Sequence, residues 1–426
     1  MKRNILFFIS LFISVCISAQ DLSVKKYTHT EGYSILPNLV LERDDDIVIP
    51  FYITKNDEKK AGLIYLDKKM QINDAILFDA SGNYVINDIK QAESGNLFVS
   101  AEGYSDQGQE SIYFLELDNK QIANDFIFNE NGNEVDPFSV VEIQDEPILA
   151  GFIKSRKLIG NSFYNMYSED QMIYIGRFKK NGIKSWAKAI NLEGYDQGIC
   201  NKIVLLNDYL FLLCHANKDG NLYPFIIKMN KKGDVIQINR LFNRNKKIQI
   251  SDLVLNGEQL VLSGTYNDGD GYHYYSAIIS QDLNILEATS YSLPNKIIIE
   301  SSIFNNNTHH IYGTIMNEEA SYNYLYMIQN GVDVKLNQAG GRHIDYLIGE
   351  YDNYLIGYSA SNKDSRSDLV LINKTSLENK ELVKDNFFRI EQDIFTTYEI
   401  IENFQESSIN RGCERVIVKN IKNKLQ

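Results

Sequence analysis

An all-β fold built from repeated four-stranded units is predicted by three observations. Apolar strands ending in a small residue recur at a period near fifty, each is followed by another recurring strand that runs into turn-forming residues, and no long stretch has helical periodicity. The composition agrees: 44% hydrophobic and 12% aromatic residues with only 6 prolines describe a folded, strand-rich chain. One four-stranded sheet cannot bury both faces alone, whereas sheets stacked radially cover one another and leave short protected edges. The expected architecture is therefore a seven-bladed β-propeller of four-stranded antiparallel blades. Eight blades is the alternative count, and a β-sandwich or an open solenoid the alternative architecture. With 27 tyrosines and 1 tryptophan, folds that place a tryptophan in every unit are excluded.

At the N-terminus, residues 1–20 read as an export signal. Lys2 and Arg3 form the charged head, Ile5 to Ile17 the apolar stretch, and Ser18-Ala19-Gln20 the small-residue exit. The apolar stretch is shorter than the ~20 residues a membrane-spanning helix needs. Cys16 is preceded by Val15, where a bacterial lipidation motif has a small residue. Residues 21–34 are expected to be an N-terminal closing segment.

The repeats occupy residues 35–388. The second strand of each unit gives the register: Ile47 to Phe51, Leu97 to Ala101, Ile148 to Gly151, Phe211 to Cys214, Leu260 to Gly264, Ile311 to Gly313 and Tyr354 to Gly357. Their last residues are spaced by 50, 50, 63, 50, 49 and 44. The small final residues fit a crowded inner position where neighbouring blades approach. The third strands run from Leu63 to Leu66, Ile112 to Leu115, Met172 to Ile175, Phe225 to Ile227, Ser276 to Ile279, Tyr324 to Met327 and Leu369 to Ile372. Turn residues such as Asp118-Asn119, Asn181-Gly182 and Asn330-Gly331 follow them. The blades divide at about 35–82, 83–131, 132–193, 194–243, 244–294, 295–341 and 342–388.

Arg177 to Gly194 contains a strand, an Asn181-Gly182 turn, Trp186 at the head of an outer strand and a Gly-ended link. This resembles the repeat of exported bacterial β-propeller proteins, and Lys228 to Val235 is similar without the tryptophan. The resemblance covers all seven units in pattern and one or two in motif. It implies the fold, and it carries no common activity and no catalytic residue.

Residues 389–426 are expected to form a C-terminal closing segment. Leu22 to Tyr27 and Glu414 to Val418 both alternate like strands, so either could lend an outer strand to the blade of the other terminus. An incomplete eighth unit from Arg389 onward is the competing reading, since Ile394 to Ile401 is also strand-like.

Chemistry is less legible. The formal charge of −13 repels a phosphate backbone or an anionic membrane surface, so nucleic acid is excluded as a partner, and the mature chain carries no integral membrane segment. The mature chain keeps Cys200, Cys214 and Cys413, an odd number that does not suggest a disulfide scaffold. Pairing Leu206 with Tyr209 sets Cys200 opposite His215 and Cys214 opposite Asn201, on opposite sheet faces, as buried free thiols; a shift of one residue would reverse this. Every link between second and third strands contains an acid, namely Asp57, Asp106, Asp170, Asp219, Asp268, Glu318 or Asp364, either as an acidic rim or as ordinary turn chemistry.

The long link Ser155 to Gln171 holds Phe163, Tyr164, Met166 and Tyr167, side chains suited to contact with sugars or peptides. Asp268 and Asp270 precede Tyr272, His273, Tyr274 and Tyr275, an aromatic contact surface; the calcium-loop spacing is not met. His309 and His310 point to opposite faces of a strand, which disfavours a shared metal. No metal, phosphate-loop or nucleophile-elbow motif is present, so neither a cofactor nor a metal is expected. The expected function is noncatalytic binding of a peptide, protein or glycan through the loop-rich face, outside the cytoplasm. The alternatives are a cell-envelope glycan hydrolase or lyase using acids with His273 or His343 at the channel mouth, and a structural subunit of an envelope assembly.

Overall fold

The computed structural model describes residues 24–420 apart from 57, 80–82, 105–109, 129–133, 155–170, 193, 243–246, 268–271, 293–296, 306–307, 317–320, 330–332, 339–345, 362–365, 374–377, 381–383, 386–388, 393–394 and 400–416. The expected export signal lies outside the described residues. Among those described, all regular structure is strand, and no helix is long and apolar enough to cross a membrane.

Seven antiparallel meanders follow one another along the described chain. The second to sixth each consist of four consecutive strands, as in Asn83–Gln91, Leu97–Tyr104, Glu110–Asp118 and Gln121–Phe128. The fourth is Gln197–Leu206, Tyr209–Lys218, Asn221–Asn230 and Val235–Phe242, and the fifth is Lys247–Asn256, Gln259–Asn267, Tyr272–Ile279 and Ile285–Ser292. The first has a broken inner strand, Ser34–Pro37 and Leu41–Glu42, beside Ile47–Lys55, Glu58–Leu66 and Ile72–Asp79. The seventh has three strands of its own, Tyr346–Tyr351, Tyr354–Ser361 and Arg366–Asn373.

Burial explains the sequence pattern. In Glu146–Lys154 and Gln259–Asn267 every residue except the two ends is buried. Sheets cover both faces of these second strands, so they are continuously apolar instead of alternating. Each meander packs on its neighbour. Val48 and Tyr65 meet Ile86 and Val99; Phe98 and Phe114 meet Leu149 and Tyr174; Ile148 and Ile173 meet Leu210 and Phe225; Phe211 and Leu213 meet Leu253 and Tyr275. The first also packs on the seventh, with Ile35, Ile49 and Phe51 in one cluster with Ile356, Leu369 and Leu371. Fully burying each such side chain is worth ~1.5–3 kcal/mol.

The small residues ending the second strands have a different cause from the one expected. In six meanders the inner strand carries one extra residue, namely Asn87, Phe138, Asn201, Ser251, Glu300 and Ile348. The residue paired just before each bulge is Ala101, Gly151, Cys214, Gly264, Gly313 or Gly357. A Cβ on Gly151 would stand 1.8 Å from Asp136 O, and one on Gly264 2.1 Å from Gln249 O. At both glycines the crowding comes from the kinked strand of the same sheet, not from the neighbouring one.

The same bulge corrects the cysteine register. Leu206 pairs with Tyr209 as expected, with Asn207 at φ 55° in the turn. Asn201 is extra, however, so Cys200 pairs directly with Cys214 instead of with His215. Both thiols are free and buried, and both lie in one core cluster.

Both ends of the chain supply outer strands. Val24–Tyr27 pairs antiparallel with Arg366–Asn373, giving the seventh meander its fourth strand. Lys26 Nζ lies 2.9 Å from the Asp368 carboxylate, and Tyr27 O–H donates to Met70 O at 3.0 Å, in the first meander. At the other end, Ile417–Asn420 pairs with Ile72–Asp79 of the first meander. The strands between do not form an eighth sheet among the described residues. Glu378–Lys380, Lys384–Asp385, Arg389–Gln392 and Phe395–Glu399 add to the outer edges of the sixth, fifth, fourth and third meanders in that order. The chain thus returns along its own periphery as a belt.

Candidate functional site

The inner strands of the fourth and fifth meanders alternate between core and open space. Cys200 and Ile250 point into the core, while Gln197, Asn201, Gln249 and Ser251 are exposed. These exposed side chains wall a cavity of about 560 Å³. Gln171 joins from the start of a third strand, where its backbone makes a parallel bridge to Gln197. His215 and Asn217 enter from a second strand and Ser302 from the sixth meander, with Ile199, Ile250 and Leu222 as apolar surface. The volume is that of a small-ligand site, within the usual ~300–1,000 Å³.

The lining is rich in carboxamides. Gln171, Gln197, Asn201, Asn217 and Gln249 each offer two N–H donors and an acceptor oxygen. Asn217 Oδ1 is buried in the wall without a hydrogen-bond partner. Asn201 Oδ1 lies 2.6 Å from His215 Nδ1, so the bulge residue and the imidazole orient each other; with Nδ1–H donating, Nε2 is left as an acceptor. Desolvation pushes the His215 imidazole down to about 4, so it is neutral at neutral pH. Among the described residues no group of three metal-ligating side chains occurs.

Polar contacts tie adjacent inner strands together. Ser139 O–H donates to Asp88 Oδ2 at 2.7 Å, and Ile203 N–H donates to Ser139 Oγ at 3.2 Å. Lys202 meets Asp252 between the fourth and fifth meanders. Desolvation pushes the Lys202 ammonium down, but the Asp252 carboxylate more than reverses this, so it sits above its ordinary value. His310 Nδ1 and Glu350 Oε2, 2.9 Å apart, join the sixth and seventh meanders.

The residues singled out from sequence fare differently. Tyr274 and Tyr275 are buried at 0% and 2% exposure, which corrects the exposed aromatic surface expected there. They point to alternate faces of a strand covered on both sides, and Tyr275 O–H donates to Gln249 O at 3.2 Å beneath the cavity wall. His273 is also buried, stacked on Tyr266 with ring centroids 4.5 Å apart. Tyr272 lies at the start of the strand Tyr272–Ile279, paired with Asn267. Phe163, Tyr164, Met166, Tyr167, Asp268, Asp270 and His343 lie outside the described residues. So do six of the seven rim acids. The seventh, Asp219, sits at φ 51° beside Gly220 at φ 73° in a tight turn closed by the Lys218–Asn221 pair. Its position is ordinary turn chemistry.

The cavity residues were not singled out from sequence. The signal available was the spacing of Gln197 and Asn201, four apart, and of Gln249 and Ser251, two apart, polar positions sharing one face of strands whose other face is apolar.

No protein-family model matches the chain, and no curated protein matches it. Among solved structures, the chain is similar to the β-propeller domain of the trilobed protease from Pyrococcus furiosus, at 11% identity and a TM-score of 0.47 over 83% of this chain and 96% of that one. It is also similar to the first two extracellular domains of Drosophila semaphorin 1a, at 9% identity and a TM-score of 0.44, covering 84% of this chain and 88% of that one. A third similarity is to an acylaminoacyl peptidase from Pyrococcus horikoshii, at 14% identity and a TM-score of 0.47, with 84% of this chain matched to 53% of that one.

Proposed function

We propose that the chain is an exported seven-bladed β-propeller whose carboxamide-lined cavity binds uncharged polar groups of a peptide, protein or glycan without reacting with them. The ring reading is supported by the succession of packed meanders and by the core cluster shared between the first and the seventh. Export is supported by the charge, apolar run and small-residue order of residues 1–20.

The binding reading is carried by the cavity's side chains. Five carboxamides and two hydroxyls both donate and accept, matching the amide groups of a peptide and the hydroxyls of a sugar. His215, the titratable group among the described lining residues, is held neutral. A glycan hydrolase would instead use two facing carboxyl groups. In sequence the link 155–170, with Phe163, Tyr164 and Tyr167, runs directly into Gln171 of the cavity wall.

The test is a binding panel of immobilised uncharged glycans and peptides probed with the mature protein and with an Asn201→Ala, Gln249→Ala double variant. The expected result is saturable binding to a member of the panel, weakened ~10–100-fold in the variant by the loss of two or more hydrogen bonds at ~0.5–1.5 kcal/mol each. Turnover of a glycan by the mature protein, abolished in the same variant, would replace this reading with the enzymatic one.

A further inference from the structure

Cys200 and Cys214 take no part in the cavity wall, yet they stand in an unusual place. Each is 0% exposed, and they are direct cross-strand partners at the last register before the Asn201 bulge. In the five other bulged meanders the position of Cys214 is held by glycine or alanine, and at Gly151 and Gly264 a Cβ would meet the backbone of the kinked strand. In the fourth meander this position and its cross-strand partner are both cysteines. Directly opposed residues of an antiparallel pair have Cβ atoms ~4.5–5.5 Å apart, and a disulfide spans ~3.5–4.5 Å, so a small approach of the two strands is enough. Burial, with Cys200 beside it, holds the Cys214 thiol well above its ordinary range, so the finished fold offers little thiolate there for reaction.

We propose that Cys200 and Cys214 become joined by a cross-strand disulfide while the fourth meander is still open to solvent. The oxidant is a small or protein disulfide. A cysteine thiolate attacks it and forms a mixed disulfide, expelling one external thiolate; the thiolate of the second cysteine then attacks the first cysteine's sulfur and expels the other external thiolate. Two protein thiols are oxidised, one external disulfide is reduced to two thiols, and the two protons pass to those leaving groups. The bond fixes the residues that precede Asn201 and His215, and so pins the pair that orients the cavity wall.

The experiment uses the full mature chain, reduced and unfolded in denaturant, then refolded in a buffer of oxidised and reduced glutathione. Refolding is verified by circular dichroism, after which remaining thiols are alkylated in denaturant without reductant and the digest is read by mass spectrometry. The expected result is a peptide linking Cys200 to Cys214, two hydrogens lighter than the sum of its parts, with alkylation at those two positions near zero and at Cys413 near complete. Cys200→Ser is expected to restore full alkylation of Cys214, and Cys214→Ser that of Cys200. Full alkylation of both in the refolded wild-type chain, or a link from either to Cys413, overturns the proposal.

Discussion

Gly264→Ala tests whether the bulge dictates the small residues. The added methyl would meet Gln249 O at 2.1 Å, Tyr275 Oη at 2.7 Å and Ile250 Cα at 2.9 Å. Carbon contacts settle near 3.5–4.0 Å, so the inner strand must retreat by more than ~1 Å. Two of the three obstacles are backbone atoms of the bulged strand, which cannot step aside by a rotamer change. Retreat weakens one or two ladder hydrogen bonds at ~0.5–1.5 kcal/mol each, and overpacking adds ~1–3 kcal/mol, giving a loss of ~1.5–6 kcal/mol. Gly257→Ala is the control: it has φ of +60° with nothing within 4 Å of its Cβ, so it carries backbone strain alone, ~1–2 kcal/mol. Urea unfolding of both variants, with the slope checked against wild type, gives the comparison. A cost for Gly264→Ala equal to or below that of the control would refute the bulge argument.

Two further outcomes are expected. His215 titrates near 4 when folded against 6.5 ordinarily, so between those values the unfolded chain binds more protons and stability rises with pH, reaching its full value above 6.5. His215→Gln should flatten the rise in urea midpoint between pH 4.5 and 7, and an unchanged slope would show that the imidazole does not contribute. Removing residues 378–426 uncovers the outer edges of five meanders, so the truncated chain should melt at lower temperature and associate with rising concentration by light scattering. A monomer with an unchanged melting point would mean that the belt adds nothing.

The repeat was legible because covering a sheet on both faces forces an apolar run, and such a run recurring every fifty residues is visible without coordinates. Turns were legible for the same kind of reason, since Asn207, Gly182 and Gly233 adopt positive φ where few other residues are at ease. What escaped was anything set by one inserted residue. Asn201 looks like a member of an alternating strand, yet as the extra residue of a bulge it exchanges the partners of Cys200 and Cys214. Tyr274 and Tyr275 misled because a tyrosine-rich strand after a polar loop reads the same whether its hydroxyls meet solvent or a backbone carbonyl. The cavity was hidden because its carboxamides come from several meanders, and no local motif announces residues that meet only when sheets stack. The belt was half legible: Glu414 to Val418 read as one of two terminal segments able to lend a strand to the blade of the other terminus, but strands as short as Lys384–Asp385 carry too little pattern to read.

The peripheral course of the C-terminal strands bears on when the protein becomes finished. The first sheet is synthesised early but receives its outermost strand only from Ile417–Asn420, and the last sheet must take Val24–Tyr27 from the opposite end. Neither terminal sheet is therefore complete until almost the whole chain has left the ribosome. If, as proposed above, the chain is exported, that delay serves its passage across the membrane: premature locking is withheld by the order in which the residues arrive.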